Sequence, residues 1–99
     1  MGSSTIAIDF DGTFTADPSL WSEFIRIAGG AGHTVVCVTA RTDTPKDSEY
    51  IRLMFATYEC EVPVVFTAGQ SKIVAMEERD TGVDIWIDND PTALVNGSA

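Results

Sequence analysis

Two periodicities alternate along the chain. Short, nearly continuous apolar runs are separated by longer stretches in which apolar residues recur every three or four positions. The runs are Thr5-Ile6-Ala7-Ile8-Asp9, Thr34-Val35-Val36-Cys37-Val38-Thr39, Val62 to Phe66 and Val83 to Ile87. They read as four strands, apolar almost throughout because both faces are covered. Between them, Leu20, Trp21, Phe24, Ile25 and Ala28 share one helical face, and Ile51, Met54, Phe55 and Tyr58 share another. A shorter helix is expected from about Gly69 to Asp80, stopped by Gly82. A last helical turn is expected from Asp90-Pro91 to near Asn96-Gly97.

Local signals agree with these boundaries. Asp17-Pro18 and Thr44-Pro45 each pair an N-capping side chain with a proline at the first helical position. Gly29-Gly30 marks a helix end. The sequence shows no repeat, linker or low-complexity tract. The order β-α-β-α-β-α-β with short connections predicts an α/β fold. Its form is a three-layer α/β/α sandwich around a Rossmann-like parallel sheet, in a single domain over residues 1–99.

Composition narrows the class. The 99 residues are 44% apolar, ordinary for a globular chain of one domain. No apolar run is long enough to cross a bilayer. The start, Met1-Gly2-Ser3-Ser4, has neither a basic segment nor an apolar signal core, and Ile6 stands where a myristoylation signal needs Ser or Thr. Cys37 and Cys60 lie in or beside apolar runs and read as reduced, buried thiols. A cytoplasmic protein is expected. The net charge of −9 disfavours non-specific binding to nucleic acid and fits a site with a surplus of carboxylates.

The polar residues at the strand ends carry the chemistry. In parallel sheets of this kind the binding site lies at the carboxyl ends of the strands. Asp9, Thr39 and Asp88 each lie directly at such an end. Asp9 and Asp11, two apart in extended backbone, project to the same side, and their mutual repulsion raises one pKa. Gly12 permits the sharp turn that follows. A calcium loop of the EF-hand type is excluded, because Phe14 occupies the position that needs glycine.

The string Asp9-Phe10-Asp11-Gly12-Thr13 after an apolar strand resembles the first motif of the haloacid dehalogenase superfamily phosphatases. Val36-Cys37-Val38-Thr39-Ala40-Arg41 resembles the second. Lys72 at a helix start resembles the third, and Ile85-Trp86-Ile87-Asp88-Asn89-Asp90-Pro91 the fourth. The resemblance runs from Thr5 to about Leu94. It implies a Mg²⁺-dependent phosphohydrolase acting through an aspartyl-phosphate. Asp9 would be the nucleophile, and Asp11 the general acid and base. Thr39 would donate its hydroxyl to the phosphoryl group, and Lys72 would supply countercharge. Gly12, Ala40 and Arg41 would lie against the substrate phosphate. Mg²⁺ would be held by Asp9, Asp11 through its backbone carbonyl, Asp88 and Asp90. For Asp9 to converge with Thr39 and Asp88, the first strand must lie between the other two, giving the order 3-2-1-4.

Taken singly, several of these residues have plainer readings. Thr39 is also an ordinary strand residue, Lys72 a solvated helix residue, and Asp90 a helix cap before Pro91. Arg41 either meets substrate phosphate or pairs with a nearby acid. Turn propensity explains Asn89 as well as a contact does. His33 reads as a loop residue, and Asp84 opens its strand at the far end of the sheet. Neither gap where relatives of this type insert a cap domain holds one here. The cleft is therefore expected either to be open, admitting large substrates such as a phosphorylated protein or a nucleic-acid end, or to be closed by a partner chain. The phosphorylated substrate expected is a small molecule, a peptide or a nucleic-acid end. Without a fifth strand, the edge near Trp86 would be bare, which suggests self-association or cover by the C-terminal segment. A response-regulator receiver also forms an aspartyl-phosphate, but it needs an acid after its third strand, where Phe66-Thr67 stands here. A catalytically silent binding protein is the other alternative, although every motif residue is present.

Overall fold

The structure is a computed structural model that describes residues 3–97. Met1 and Gly2, half of the segment read as lacking an export signal, lie outside the described residues, as do Ser98 and Ala99 at the end of the expected domain. The elements alternate as the apolar pattern predicts: β1 (Thr5–Ile8), α1 (Pro18–Gly30), β2 (Thr34–Thr39), α2 (Pro45–Thr57), β3 (Val64–Phe66), α3 (Lys72–Glu78), β4 (Ile85–Ile87) and α4 (Pro91–Val95). A single 3₁₀ turn, Phe14–Ala16, lies between β1 and α1. The four strands form one sheet, all parallel, in the order β3-β2-β1-β4. That is the expected order, with β1 at the centre and Trp86 on an outer strand.

The capping signals act as read. Asp17 and Thr44 accept hydrogen bonds from the backbone N–H groups of Leu20 and Asp47, three residues into their helices. Ser71 does the same for α3 through the N–H of Val74. The third helix is shorter than its apolar pattern suggested. Gly69, at φ +84°, belongs to a turn whose backbone is bonded to the loop after β2, so the helix starts only at Lys72. The outer strands are also shorter than expected. Pro63 has no N–H to give and contributes only its carbonyl, to Cys37 N. Asp84 binds the start of β1 instead, accepting the N–H of Thr5 at 2.8 Å.

Alternate residues of the central strands serve two separate cores. Ile6, Ile8, Val35 and Cys37 join Ile25 and Ala28 of α1 and Ile51 and Phe55 of α2. Ala7, Val36 and Val38 join Met76 of α3. One detail of the α1 face differs from the pattern: Leu20 is exposed, whereas Ser22 is buried, its hydroxyl donating to Ser19 O. Phe10 and Phe14, both fully buried, bracket the loop after β1 and pack on Phe55, at 5.9 and 4.5 Å between ring centres. Burying two aromatic rings at this spacing ties the loop carrying Asp9 and Asp11 to the core, and Phe14→Ala would cost about 3–5 kcal/mol.

Candidate active site

Strand register brings the site together. Ile8 lies opposite Ile87 on one side and Cys37 on the other. Asp9 and Asp88, each the next residue, therefore leave the sheet at the same level, and Asp9 N continues the ladder by donating to Ile87 O at 2.9 Å. Thr39 ends β2 opposite Phe66. Beyond these ends a cleft of about 370 Å³ is lined by Asp9, Asp11, Ala40, Arg41, Lys72, Asp88, Asn89, Asp90 and Ala93. Seven of the nine residues expected at the site line it. Thr39, completely buried, and Gly12 do not. A larger groove of about 650 Å³ runs along α2 and β3, but its lining is mainly apolar and holds none of the motif residues.

At the centre of the cleft stands Lys72. Its ammonium donates to Asp9 Oδ1 and to Asp88 Oδ2, both at 2.7 Å, and all three side chains are almost fully buried. Burial opposes the charge on Lys72, but the hydrogen bonds to Asp88 and Asp9 outweigh it and hold the ammonium above its ordinary pKa. Burial pushes the Asp9 carboxyl up from its ordinary value, against the pull of Lys72. Lys72 thus has a partner on each side, and the plain reading of it as a solvated helix residue is set aside. Its position follows from Ser71, whose hydroxyl also donates to Leu94 O at 2.7 Å and so fixes the start of α3 against α4.

The second oxygen of Asp9 meets two residues outside the expected set. Thr13 Oγ1 donates to Asp9 Oδ2 at 3.2 Å and accepts the backbone N–H of Asn89 at 3.1 Å. The Asn89 carboxamide satisfies its neighbours when its nitrogen faces Asp9. Nδ2 then donates to Asp9 Oδ2 at 2.8 Å, and to Asp11 O and Thr13 Oγ1 at 3.2 Å each. An oxygen at that point would face three acceptors, so the point calls for a donor or a cation. Gly12, at φ +84°, is what lets Asn89 approach. A Cβ there would stand 2.5 Å from the carboxamide. The signal for Thr13 was its place inside the first motif, and for Asn89 its place between two acids; neither residue type points to this contact by itself.

Asp11 and Arg41 pair at the mouth. Arg41 Nε and Nη2 donate to the two carboxylate oxygens of Asp11 at 2.9 and 2.8 Å, and Nη1 donates to Asp47 at 2.9 Å. Hydrogen bonding to Asp11, foremost, raises the pKa of Arg41 still further. Of the two readings of Arg41, pairing with an acid is the one the geometry displays. Thr39 Oγ1 accepts the N–H of Arg41 at 3.2 Å, and the loop after β3 holds this stretch through Thr67 N to Thr39 O, Gly69 N to Ala40 O and Ala68 N to Arg41 O. Asp90 stands at the N-cap of α4, but its side chain caps no backbone N–H; it accepts the Thr92 hydroxyl instead. Its own N–H donates to Asp88 Oδ1. His33 is a loop residue, its Nδ1 accepting the N–H of Ser4.

Cys37 and Cys60 are free, buried thiols, both pushed up by burial, so neither is an activated nucleophile. Among the described residues, no helix is long and apolar enough to cross a membrane. Comparison with protein-family models, with curated proteins and with solved structures gives no significant match to this chain.

Proposed function

We propose that this chain is a Mg²⁺-dependent phosphomonoesterase of the haloacid dehalogenase type, with a three-layer core and no cap. The observation that carries the reading is the meeting of Asp9, Lys72 and Asp88 at the strand ends, the residues of the first, third and fourth motifs. The three-layer arrangement is supported by the two cores served by alternate strand residues. The absence of a cap is supported by short connections, residues 9–17 between β1 and α1 and Thr67 to Ser71 between β3 and α3. Free, buried thiols suit a reducing compartment such as the cytoplasm.

The residues fit a divalent cation. The point between Asp9 Oδ2 and the Asp11 carbonyl is surrounded by acceptors and is filled by an amide nitrogen. Mg²⁺ favours oxygen ligands of this kind and keeps several waters. Asp9 and the Asp11 carbonyl would hold it, with Asp88 and Asp90 beside them; when bound, it supplies countercharge to the phosphoryl group.

The chain's own residues do the rest. The Asp9 carboxylate attacks phosphorus and the bond to the leaving oxygen breaks, giving an aspartyl-phosphate. Lys72 keeps Asp9 oriented and offsets the charge that builds on the phosphoryl oxygens. Asp11 gives a proton to the leaving oxygen and then takes one from the water that hydrolyses the intermediate. Arg41 contributes donors to the phosphate, with Ala40 giving close backbone approach; Thr39 and Gly12, which do not line the cleft, hold this stretch and the Asp9 loop from beneath. Hydrolysis of a generic aryl phosphate with and without Mg²⁺ tests the reading. Metal-dependent release of phosphate, lost in Asp9→Asn, is expected; no release under any condition refutes it.

A further inference from the structure

Arg41 is the most heavily partnered group at the mouth of the cleft. Besides Asp11 and Asp47, its guanidinium carbon lies 5.5 Å from the centre of the Phe10 ring and 5.1 Å from that of Tyr50. Asp47 and Tyr50 both belong to α2, so the guanidinium is fixed from the helix side. Asp11 is the opposite case. Its side chain is 52% exposed, against 8% for Asp9, and both of its oxygens are turned to Arg41.

A fork-to-fork pair of this kind uses both carboxylate oxygens at once. Proton transfer requires Asp11 within hydrogen-bond reach of the ester oxygen of a substrate seated at Asp9. With both Asp11 oxygens turned to Arg41, carrying a proton to that ester oxygen needs one of them turned toward the substrate instead. We infer that Arg41 is a positioning residue: it parks Asp11 in the resting protein and releases it when the phosphoryl group of an incoming substrate takes the guanidinium. Asp47 is the second anion that holds Arg41 in place and divides its pull. The inference rests on the phosphohydrolase reading above.

The chemistry suits such an exchange. A guanidinium offers the same donor fork to carboxylate and to phosphate. Of its five N–H groups, three are engaged by Asp11 and Asp47. Two remain to meet a phosphoryl oxygen before Asp11 lets go. No covalent step is involved; one anion replaces another on Arg41. Arrival of the phosphate and presentation of the acid then become a single event.

Asp47→Asn tests this in the full chain, because Asp47 touches no reacting atom. Removing its charge concentrates Arg41 on Asp11. The kcat for an alkyl phosphate should fall roughly 3- to 10-fold, a fraction of what complete loss of a general acid costs. The kcat for an activated aryl phosphate, which needs little acid, should stay within about twofold. In an Asp11→Asn background the substitution should change neither. Arg41→Lys keeps the charge without the fork and should raise KM while narrowing the gap between the two substrates. Equal losses on both substrates, or the same loss in Asp11→Asn, would overturn the exchange. The handover is also read without turnover, from the Arg41 Nε–H resonance titrated with inorganic phosphate and Mg²⁺. It should shift in the wild-type chain and need more phosphate in Asp47→Asn. A shift in a protein that hydrolyses nothing would uphold the handover and sink the hydrolase reading. Turnover without any shift would sink the handover alone.

Discussion

Lys72 Nζ and Asp9 Oδ1 meet at 2.7 Å across 63 residues of sequence, inside a cleft where both side chains are nearly buried. The pair exists because Asp9 directly follows β1 at the centre of the sheet and Ser71 caps α3 one residue before Lys72. With Asp88 on its other side, Lys72 offsets one of the two negative charges in a site that would otherwise hold two uncompensated carboxylates. Removing it should therefore act on stability before it acts on chemistry. Lys72→Met is expected to cost about 3–5 kcal/mol, as for breaking any buried charge network from one side. Chemical denaturation in the presence of chelator measures it; a loss under 1 kcal/mol would mean that the network is slack.

The same pair sets a pH dependence. The pKa of Lys72 is raised on folding, so its contribution is complete below the ordinary lysine value of 10.5 and is lost as pH climbs through the raised value. Melting of the metal-free protein, compared between wild type and Lys72→Met, should show a gap that persists up to the ordinary lysine value of 10.5 and closes above it, and that also narrows in acid as the raised Asp9 carboxyl takes up a proton. A gap that closes near neutrality would place the ammonium outside this network.

Clustered acids alone suggest that Asp88→Asn should relieve repulsion and stabilise the metal-free fold. The structure reverses that expectation, because Lys72 lies between Asp9 and Asp88 and the repulsion is already offset. Asp88→Asn should lower the melting temperature in chelator and weaken Mg²⁺ binding. Calorimetric titration checks the second half; equal Mg²⁺ affinity in Asp88→Ala would remove Asp88 from the metal site.

Gly12→Ala should damage the site from beneath. Positive φ at a residue with a Cβ costs about 1–2 kcal/mol, and this Cβ would also push the Asn89 carboxamide off Asp9. Reduced stability together with a loss of turnover larger than the stability loss explains is expected. Unchanged activity would show that Asn89 is a bystander.

Much of this was legible in the sequence because apolar runs and helical spacing report which faces are buried, and burial decides the elements. The sheet order followed from asking which strand must lie between Thr39 and Asp88. What sequence could not show is which partner a polar side chain chooses once several lie within reach. Arg41 had Asp11, Asp47 and a phosphate to choose from, and only the placement of α2 made Asp47 and Tyr50 its neighbours. The partners of Thr13 and Asn89 are not legible in the sequence because their contact depends on a glycine turn that brings residues 76 apart into hydrogen-bond range. Helix α3 is shorter than the apolar spacing predicts because Gly69 and Ala68, both at positive φ, belong to a turn that the spacing does not reveal.

The two carboxylates of the first motif separate the roles most directly. Asp9→Asn should abolish turnover, because an amide is a poor nucleophile. Asp11→Asn should keep Mg²⁺ binding through its backbone carbonyl but lose its proton donor, so alkyl phosphates should suffer more than activated aryl phosphates. Full loss of such a donor costs roughly 10²–10⁴-fold. It should also lose the base that frees the intermediate. The decisive measurement is the intact mass of Asp11→Asn after mixing with an activated aryl phosphate and Mg²⁺. An added phosphate located on Asp9, absent in the Asp9→Asn, Asp11→Asn double variant, is the expected result. An Asp9→Asn chain that still turns over, with no phosphate ever found on Asp9, would contradict it.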